Sequence, residues 1–281
     1  MKITTKYFLP SEDFGAFIRE NMADIVAVKQ IPTGWTNHVF ISTDEHGGKF
    51  IYRFPRNDFF ADCIVPEYGF TKFIRENLSF RTTDMELFYR DGRAFSRHTF
   101  IEGHTMTEFM VTANEAQRAA FARDAVAMIK ELQGLDGGGI VTEMASEFLG
   151  RLSRVNGKGY PEDMVKGLVK LEADSVLAHG DLNAGNILVD DDGRIVAVLD
   201  WAFLTHSARL HDLARLIGRM PPEFKLPLMR EYTQQIDNVD DCKLDFLIEL
   251  WAMVDGDYVE YMLREHPEID LSAITNASKR A

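Results

Sequence analysis

Three oxygen-bearing side chains, Asp181, Asn186 and Asp200, fall within one run, VLAHGDLNAGNILVDDDGRIVAVLDW, from Val176 to Trp201. Two carboxylates and an amide are hard donors. Together they suit a divalent cation and leave one carboxylate to accept a proton. The surrounding elements can bring them to one mouth. An apolar run over residues 175–178 delivers His179, Gly180 and Asp181 at its end, while Ile187-Leu188-Val189 and the run from Ile195 to Leu199 flank Asp191-Asp192-Gly193. Two short β-rich runs about an Asp-Gly turn predict a hairpin, with Asn186 at its entrance and Asp200 at its exit, on the same end. A plain surface hairpin explains Asp191 and Asp192 as turn formers, but not why His179, Asp181, Asn186 and Asp200 occur together.

The spacing is that of phosphoryl transfer. Kinase catalytic loops carry D-x-x-x-x-N, in which the Asp takes the proton of the substrate hydroxyl and the Asn binds metal; a later Asp at a strand end holds the bridging metal. Asp181 and Asn186 fit this spacing, and Asp200-Trp201 stands where protein kinases have Asp-Phe-Gly. The stretch HGDLNAGNILVDDDGRIVAVLDW resembles the signature of the aminoglycoside phosphotransferase family, small-molecule kinases with a protein-kinase-like fold. Asn183 stands where many relatives have His. The resemblance implies an α+β, bilobal architecture: a β-rich, nucleotide-binding lobe over residues 1–102 and a mainly helical lobe over residues 103–281 with the catalytic loop and substrate site. It implies Asp181 as catalytic base, Asn186 and Asp200 as Mg²⁺ ligands, and ATP or GTP as phosphoryl donor.

The N-terminal third predicts the elements such a donor needs. Ser11 before Glu12-Asp13, Phe14, Phe17 and Ile18 predicts a short capped helix. Strands are expected over Val26 to Ile31, His38 to Thr43 and Lys49 to Phe54. The loop with Gly34, Thr36 and Asn37 lies where the family covers the nucleotide phosphates with backbone N–H groups. Alternation on the third strand puts Phe50, Tyr52 and Phe54 on one face and Arg53 on the other. The resemblance assigns Arg53 the grip on the α- and β-phosphates, where Lys is usual in the family. A helix is expected from Pro66 to Asn77, with Glu67, Phe70 and Ile74 on one stripe. A carboxylate on a core stripe needs a partner, and Arg53 is the natural one, as in the kinase Lys–Glu pair; first-turn placement near the helix dipole is the other reading of Glu67. Strands over Met85 to Tyr89 and Ala94 to Ile101 then lead to Thr99-Phe100-Ile101-Glu102-Gly103, which resembles the family hinge. Backbone groups near Thr99 and Ile101 would meet the purine there.

Beyond the hinge the pattern turns helical. Thr112 and Glu115 read as a capping box for a helix with Phe121, Ala125, Met128 and Leu132 on its core face, ended by Gly134. Further helices are expected over Met144 to Leu152 and Pro161 to Leu171, and Asp212 in His211-Asp212-Leu213-Ala214 reads as a structural anchor of the catalytic loop. No long activation segment or Ala-Pro-Glu motif follows Asp200, which favours a small acceptor over a peptide. On the last helix, from about Asp245 to Glu265, Asp255, Asp257 and Glu260 interleave with Trp251 and Tyr258, a set that could hold a polycation; a solvated acidic face over an aromatic core stripe explains the same residues.

Composition bounds the rest. The chain of 281 residues carries 31 Lys+Arg against 44 Asp+Glu, a formal net charge of −13 that argues against nucleic acid or anionic membrane as partner. No apolar stretch is long enough to span a bilayer and the N-terminal residues lack a signal-peptide core, so a cytoplasmic protein is expected; a monomer is the expected state. Cys63 and Cys242 lack metal-ligand spacing and read as reduced thiols. The expected acceptor is a small cationic molecule, an aminoglycoside antibiotic first, with a macrolide or a choline-like or amino-sugar alcohol as alternatives. An inactive nucleotide-binding regulator would have lost a member of the set Arg53, Glu67, Asp181, Asn186 and Asp200, and all are present.

Overall fold

A computed structural model describes residues 7–8, 12–32, 34–267 and 269. Helix α1 (Phe14–Asn21) is capped by Asp13, whose carboxylate accepts from the Ala16 amide at 2.8 Å. The expected cap, Ser11, lies outside the described residues. Strands β1 (Ile25–Ile31), β2 (Asn37–Asp44) and β3 (Lys49–Pro55) form an antiparallel meander.

Helix α2 (Asp58–Asn77) corrects the expectation that Pro66 opens this helix. It starts two turns earlier, where Asn57 accepts from the Phe60 amide at 3.1 Å, and Pro66 is interior. An interior proline costs about 3 kcal/mol. The early turns bury Phe59, Phe60, Cys63 and Ile64, and burial is worth about 1.5–3 kcal/mol for each large apolar side chain, so packing wins.

Strands β4 (Met85–Arg90) and β5 (Arg93–Thr99) turn at Asp91-Gly92 and complete a five-stranded sheet of order β1-β2-β3-β5-β4. Alternation along β3 then decides what each face carries. Tyr52 and Phe54 join Phe8, Phe14, Phe40 and Phe95 in an aromatic core under α1, while Arg53 points to Glu67 of α2.

After β5 the chain leaves this sheet. Strand β6 (His104–Thr105) pairs with Leu188 and Val189, and the short α3 (Met106–Phe109) follows. Helix α4 (Glu115–Gln133) is capped by Asn114 with Gln117, not by Thr112 with Glu115. The reason is local: the Thr112 amide donates to the Phe109 carbonyl and still belongs to the turn that closes α3. Phe121, Ala125, Met128 and Leu132 are fully buried and Gly134 caps the end, as the periodicity predicts.

Helices α5 (Ala145–Asn156) and α6 (Glu162–Leu171) precede β7 (Val176–Ala178), β8 (Ile187–Val189), β9 (Ile195–Val198) and β10 (Thr205–Ser207). The predicted hairpin is β8–β9, and β7 pairs with β10. Helices α7 (His211–Ile217), α8 (Pro222–Gln235) and α9 (Asp241–Glu265) close the chain. The largest core joins α4, α7, α8 and α9 and also takes Phe59, Phe60 and Cys63, so α2 packs against both regions. The result is an α+β fold, with a β-sheet N-terminal region and a helical C-terminal region. Among the described residues no helix is long and apolar enough to cross a membrane.

Candidate active site

The segment after β7 is held in place from α7. The Asp212 carboxylate accepts from the amides of His179 at 2.8 Å and Gly180 at 3.2 Å, so it fixes two consecutive peptides just before Asp181. Burial raises the pKa of Asp212 against the opposing pull of these two amides. His179 is fully buried and lies against Trp201, with ring centres 4.4 Å apart. Its Nε2–H donates to the Leu199 carbonyl at 3.0 Å, and its Nδ1 accepts from the Asp181 amide at 3.3 Å. A carbonyl can only accept and an amide only donate, so a neutral imidazole satisfies both ends. His179 thereby ties the Asp181 segment to the residue before Asp200. Gly180 has φ +82°, and a Cβ there would collide with the Phe203 carbonyl, so only glycine fits between the segments.

The expected oxygen donors do converge. The Asn186 amide nitrogen donates to the Asp181 carbonyl at 2.9 Å and approaches its Oδ2 at 3.4 Å, which leaves the amide oxygen on the other side of the group. Leu199 donates its amide to the Asn186 carbonyl at 2.8 Å, bringing the hairpin entrance beside its exit. Asp200 has φ +62°, a left-handed conformation that costs a non-glycine residue of order 1–3 kcal/mol and that clusters at functional sites.

Arg53 joins this group from the sheet. It donates to Glu67 Oε1 at 2.7 Å and to Asp200 Oδ1 at 3.2 Å. Burial alone would lower the Arg53 pKa, but the charges of Asp200 and Glu67 outweigh it and the value is raised. Burial pushes Glu67 up to about 7, with Arg53 pulling it down and Asp200 adding to the rise. Glu67 is only 3% exposed and lies well inside α2, so the first-turn reading of this residue is corrected and its partner is Arg53.

Mg²⁺ needs few protein ligands when phosphates and water complete its octahedron. Among the described residues no group of three His, Cys, Asp or Glu could cage a metal. The Asp200 carboxylate and the freed Asn186 oxygen are hard donors that fit a phosphate-completed site.

The other expected nucleotide contacts are placed as follows. A Cβ on Gly34 would collide with the Asn37 carbonyl and Val39, so the loop turns back tightly on itself. Arg56, which the motif reading did not single out, donates from Nε to the Gly34 carbonyl at 3.2 Å and from its amide to the Thr36 carbonyl at 3.1 Å. Asn37 donates to Thr36 Oγ1 at 2.7 Å. Thr99 has its backbone committed, the amide to Asp84 at 2.9 Å and the carbonyl to Thr83 Oγ1 at 2.8 Å. Ile101 lies beyond the last ladder pair and buries its side chain with Leu188 and Ala197.

The α9 set is arranged differently from a free acidic subsite. Trp251 is 3% exposed and covered by His211 and Arg215, so it offers no open ring face. Asp255 pairs with Arg215 at 2.9 Å and with Arg219; Asp257 and Glu260 share Lys158 at 2.8 and 2.7 Å. Tyr258 packs on Phe60, its hydroxyl buried without a partner among the described residues. Arg215 was missed by the motif reading although it also pairs with Asp181. A signal existed: it is a cation among Leu213, Ala214, Leu216 and Ile217 on a buried helix, and such a charge requires a partner.

With this geometry in hand, comparison with known proteins gives the class. Residues 27–241 match the profile of the phosphotransferase enzyme family APH, and the chain belongs to that family. Among solved structures it is similar to aminoglycoside phosphotransferase APH(2'')-IIIa with GDP and kanamycin, at 17% identity, TM-score 0.67, 94% of this chain and 95% of that one. It is also similar to the macrolide 2'-phosphotransferase MphH from Brachybacterium faecium, at 16% identity, TM-score 0.63, covering 94% and 96%. APH(2'')-Ib with ADP bound aligns at 14% identity, TM-score 0.58, covering 95% and 99%. These identities carry the fold alone. No curated protein matches the chain in sequence.

Proposed function

We propose that the protein transfers the γ-phosphoryl group of ATP or GTP to a hydroxyl of a small molecule, with Mg²⁺ as cofactor. One observation carries this reading: Asp181, Asn186, Asp200, Arg53 and Glu67, from separate segments, meet in one constellation. Asp181 would take the acceptor proton as the hydroxyl oxygen bonds to the γ-phosphorus and the bridge to the β-phosphate breaks. Mg²⁺, when bound, would sit on Asn186 and Asp200 and neutralise phosphate charge. Arg53, held by Glu67, would grip the phosphates; the loop with Gly34, Thr36 and Asn37 would cover them; Ile101, on the apolar patch with Leu188 and Ala197, would meet the base. Residues 1–102 would then carry the donor and residues 103–281 the acceptor.

For the acceptor, an aminoglycoside is the first reading, supported by the family and by neighbours solved with kanamycin and gentamicin. Modification of this kind would confer resistance by O-phosphorylation. A second reading, a macrolide or another acceptor of low charge, is favoured by the pairing of Asp255, Asp257 and Glu260 with Arg215, Arg219 and Lys158, which leaves little uncompensated negative charge on that face of α9. The test is nucleotide turnover with MgATP and MgGTP across kanamycin, gentamicin, erythromycin and choline. Acceptor-stimulated turnover with one of them supports the proposal, and none above the acceptor-free rate sinks it.

A further inference from the structure

Arg215 is 6% exposed in its side chain and lies between two carboxylates. Its Nη2 donates to Asp181 Oδ1, its Nη1 to Asp255 Oδ1 at 2.9 Å, and its guanidinium lies 5.3 Å from the centre of the Trp251 ring. Arg219, one turn further on, pairs with Asp255 and reaches Asp181 Oδ1 at 3.5 Å.

The two oxygens of Asp181 are therefore unequal. Oδ1 is taken by guanidinium groups, whereas among the described residues Oδ2 meets only the Asn186 amide at 3.4 Å, a group already given to the Asp181 carbonyl at 2.9 Å. Helix α7 makes this possible, because Asp212 and Arg215 at i and i+3 share a face. Asp212 fixes the peptides before Asp181, and Arg215 fixes its side chain.

We propose that Arg215, itself held by Asp255, positions the Asp181 carboxylate so that Oδ2 is the oxygen presented to the acceptor hydroxyl, and that Asp255 serves this role rather than binding substrate. The inference rests on the reading of Asp181 as the base and deepens it. A carboxylate on two free torsions samples orientations in which neither oxygen meets the hydroxyl, and a guanidinium on one oxygen removes most of them. Misplacement by about 1 Å can cost about 10²-fold in rate.

The experiment is steady-state kinetics of wild type, Arg215→Lys, Arg215→Gln and Asp255→Asn with MgATP or MgGTP and whichever of kanamycin, gentamicin, erythromycin or choline the wild type uses. Asp255→Asn and Arg215→Gln should each lower kcat, by about 10²-fold for the latter, with acceptor and nucleotide KM changed by less than about threefold. Arg215→Lys, which keeps the charge and loses the fork, should recover part of the rate. Because Arg215→Gln removes the buried cation between two carboxylates and leaves them only the more exposed Arg219, thermal melts accompany the kinetics, and Asp255→Asn with Arg215→Lys carries the test if the Gln variant unfolds. A raised acceptor KM at unchanged kcat in Asp255→Asn would make Asp255 a substrate ligand and overturn the proposal, as would wild-type kinetics in both carrying variants. A wild type inert toward every acceptor refutes the kinase reading and the positioning role together, whereas an active wild type with indifferent variants refutes the positioning role alone.

Discussion

Arg53 and Asp200 meet at 3.2 Å, one on the third strand of the five-stranded sheet and the other just beyond β9. In this arrangement a guanidinium answers the charge of the carboxylate proposed to bind metal. A divalent ion at Asp200 would supply that charge instead and leave Arg53 to the phosphates, which would link metal and nucleotide binding through this pair.

Asp200→Ala should therefore remove metal-dependent nucleotide binding and activity together. Calorimetric titration of ATP and GTP with and without Mg²⁺ checks this. A variant that binds the magnesium–nucleotide complex as tightly as wild type would show that Asp200 is not the ligand.

Glu67 makes the pair sensitive to pH. Burial lifts its pKa from an ordinary 4.5 to about 7, so between these values the folded chain holds a proton that the unfolded chain releases. The stabilisation this proton supplies is complete below the unfolded value and is lost as pH rises through the folded one. Between pH ~5 and ~8 the wild-type Tm should fall more steeply than that of Glu67→Gln, which cannot titrate. Parallel Tm profiles would show that Glu67 does not titrate in this range.

Asp181→Asn tests the base directly. The amide keeps the size of the side chain but cannot accept the hydroxyl proton, so turnover should drop by roughly 10²–10⁴ with nucleotide affinity nearly unchanged. Wild-type turnover in this variant sinks the assignment.

Much of this constellation was legible because its chemistry is local in sequence. The spacing of Asp181, Asn186 and Asp200 together with an Asp-Gly turn places three groups at one end of a hairpin, and β8 and β9 pair about that turn. Strand alternation put Arg53 opposite the aromatic face, and the cost of an unpaired buried charge pointed from Glu67 to Arg53. The same cost applied to Arg215 leads to Asp181 and Asp255, but the nearest motif residue, Asp212, drew the reading instead. What the sequence hid are long-range pairings. Lys158 sits 99 residues from Asp257, and nothing in either neighbourhood signals the contact. The start of α2 was hidden for another reason: the local rule for proline was right about its cost, and burial of Phe59, Phe60 and Ile64 overrode it.

The pairing of Lys158 leads to a prediction about the acceptor. Asp257 and Glu260 lie on one face of α9 with the ammonium of Lys158 between them at 2.8 and 2.7 Å. If a polycationic acceptor binds there, it displaces Lys158, and a variant without that lysine offers two uncompensated carboxylates. Charge attraction to them is screened over about 8–10 Å at physiological ionic strength. Lys158→Met should thus lower KM for kanamycin at low salt and make it climb more steeply as salt is raised, while KM for erythromycin and for the nucleotide stays near wild type. Kinetics over a salt series with both acceptors check this. Equal salt slopes in wild type and variant would place the acceptor elsewhere, and Asp257, Glu260 and Lys158 would then be a surface ion-pair network with no part in recognition.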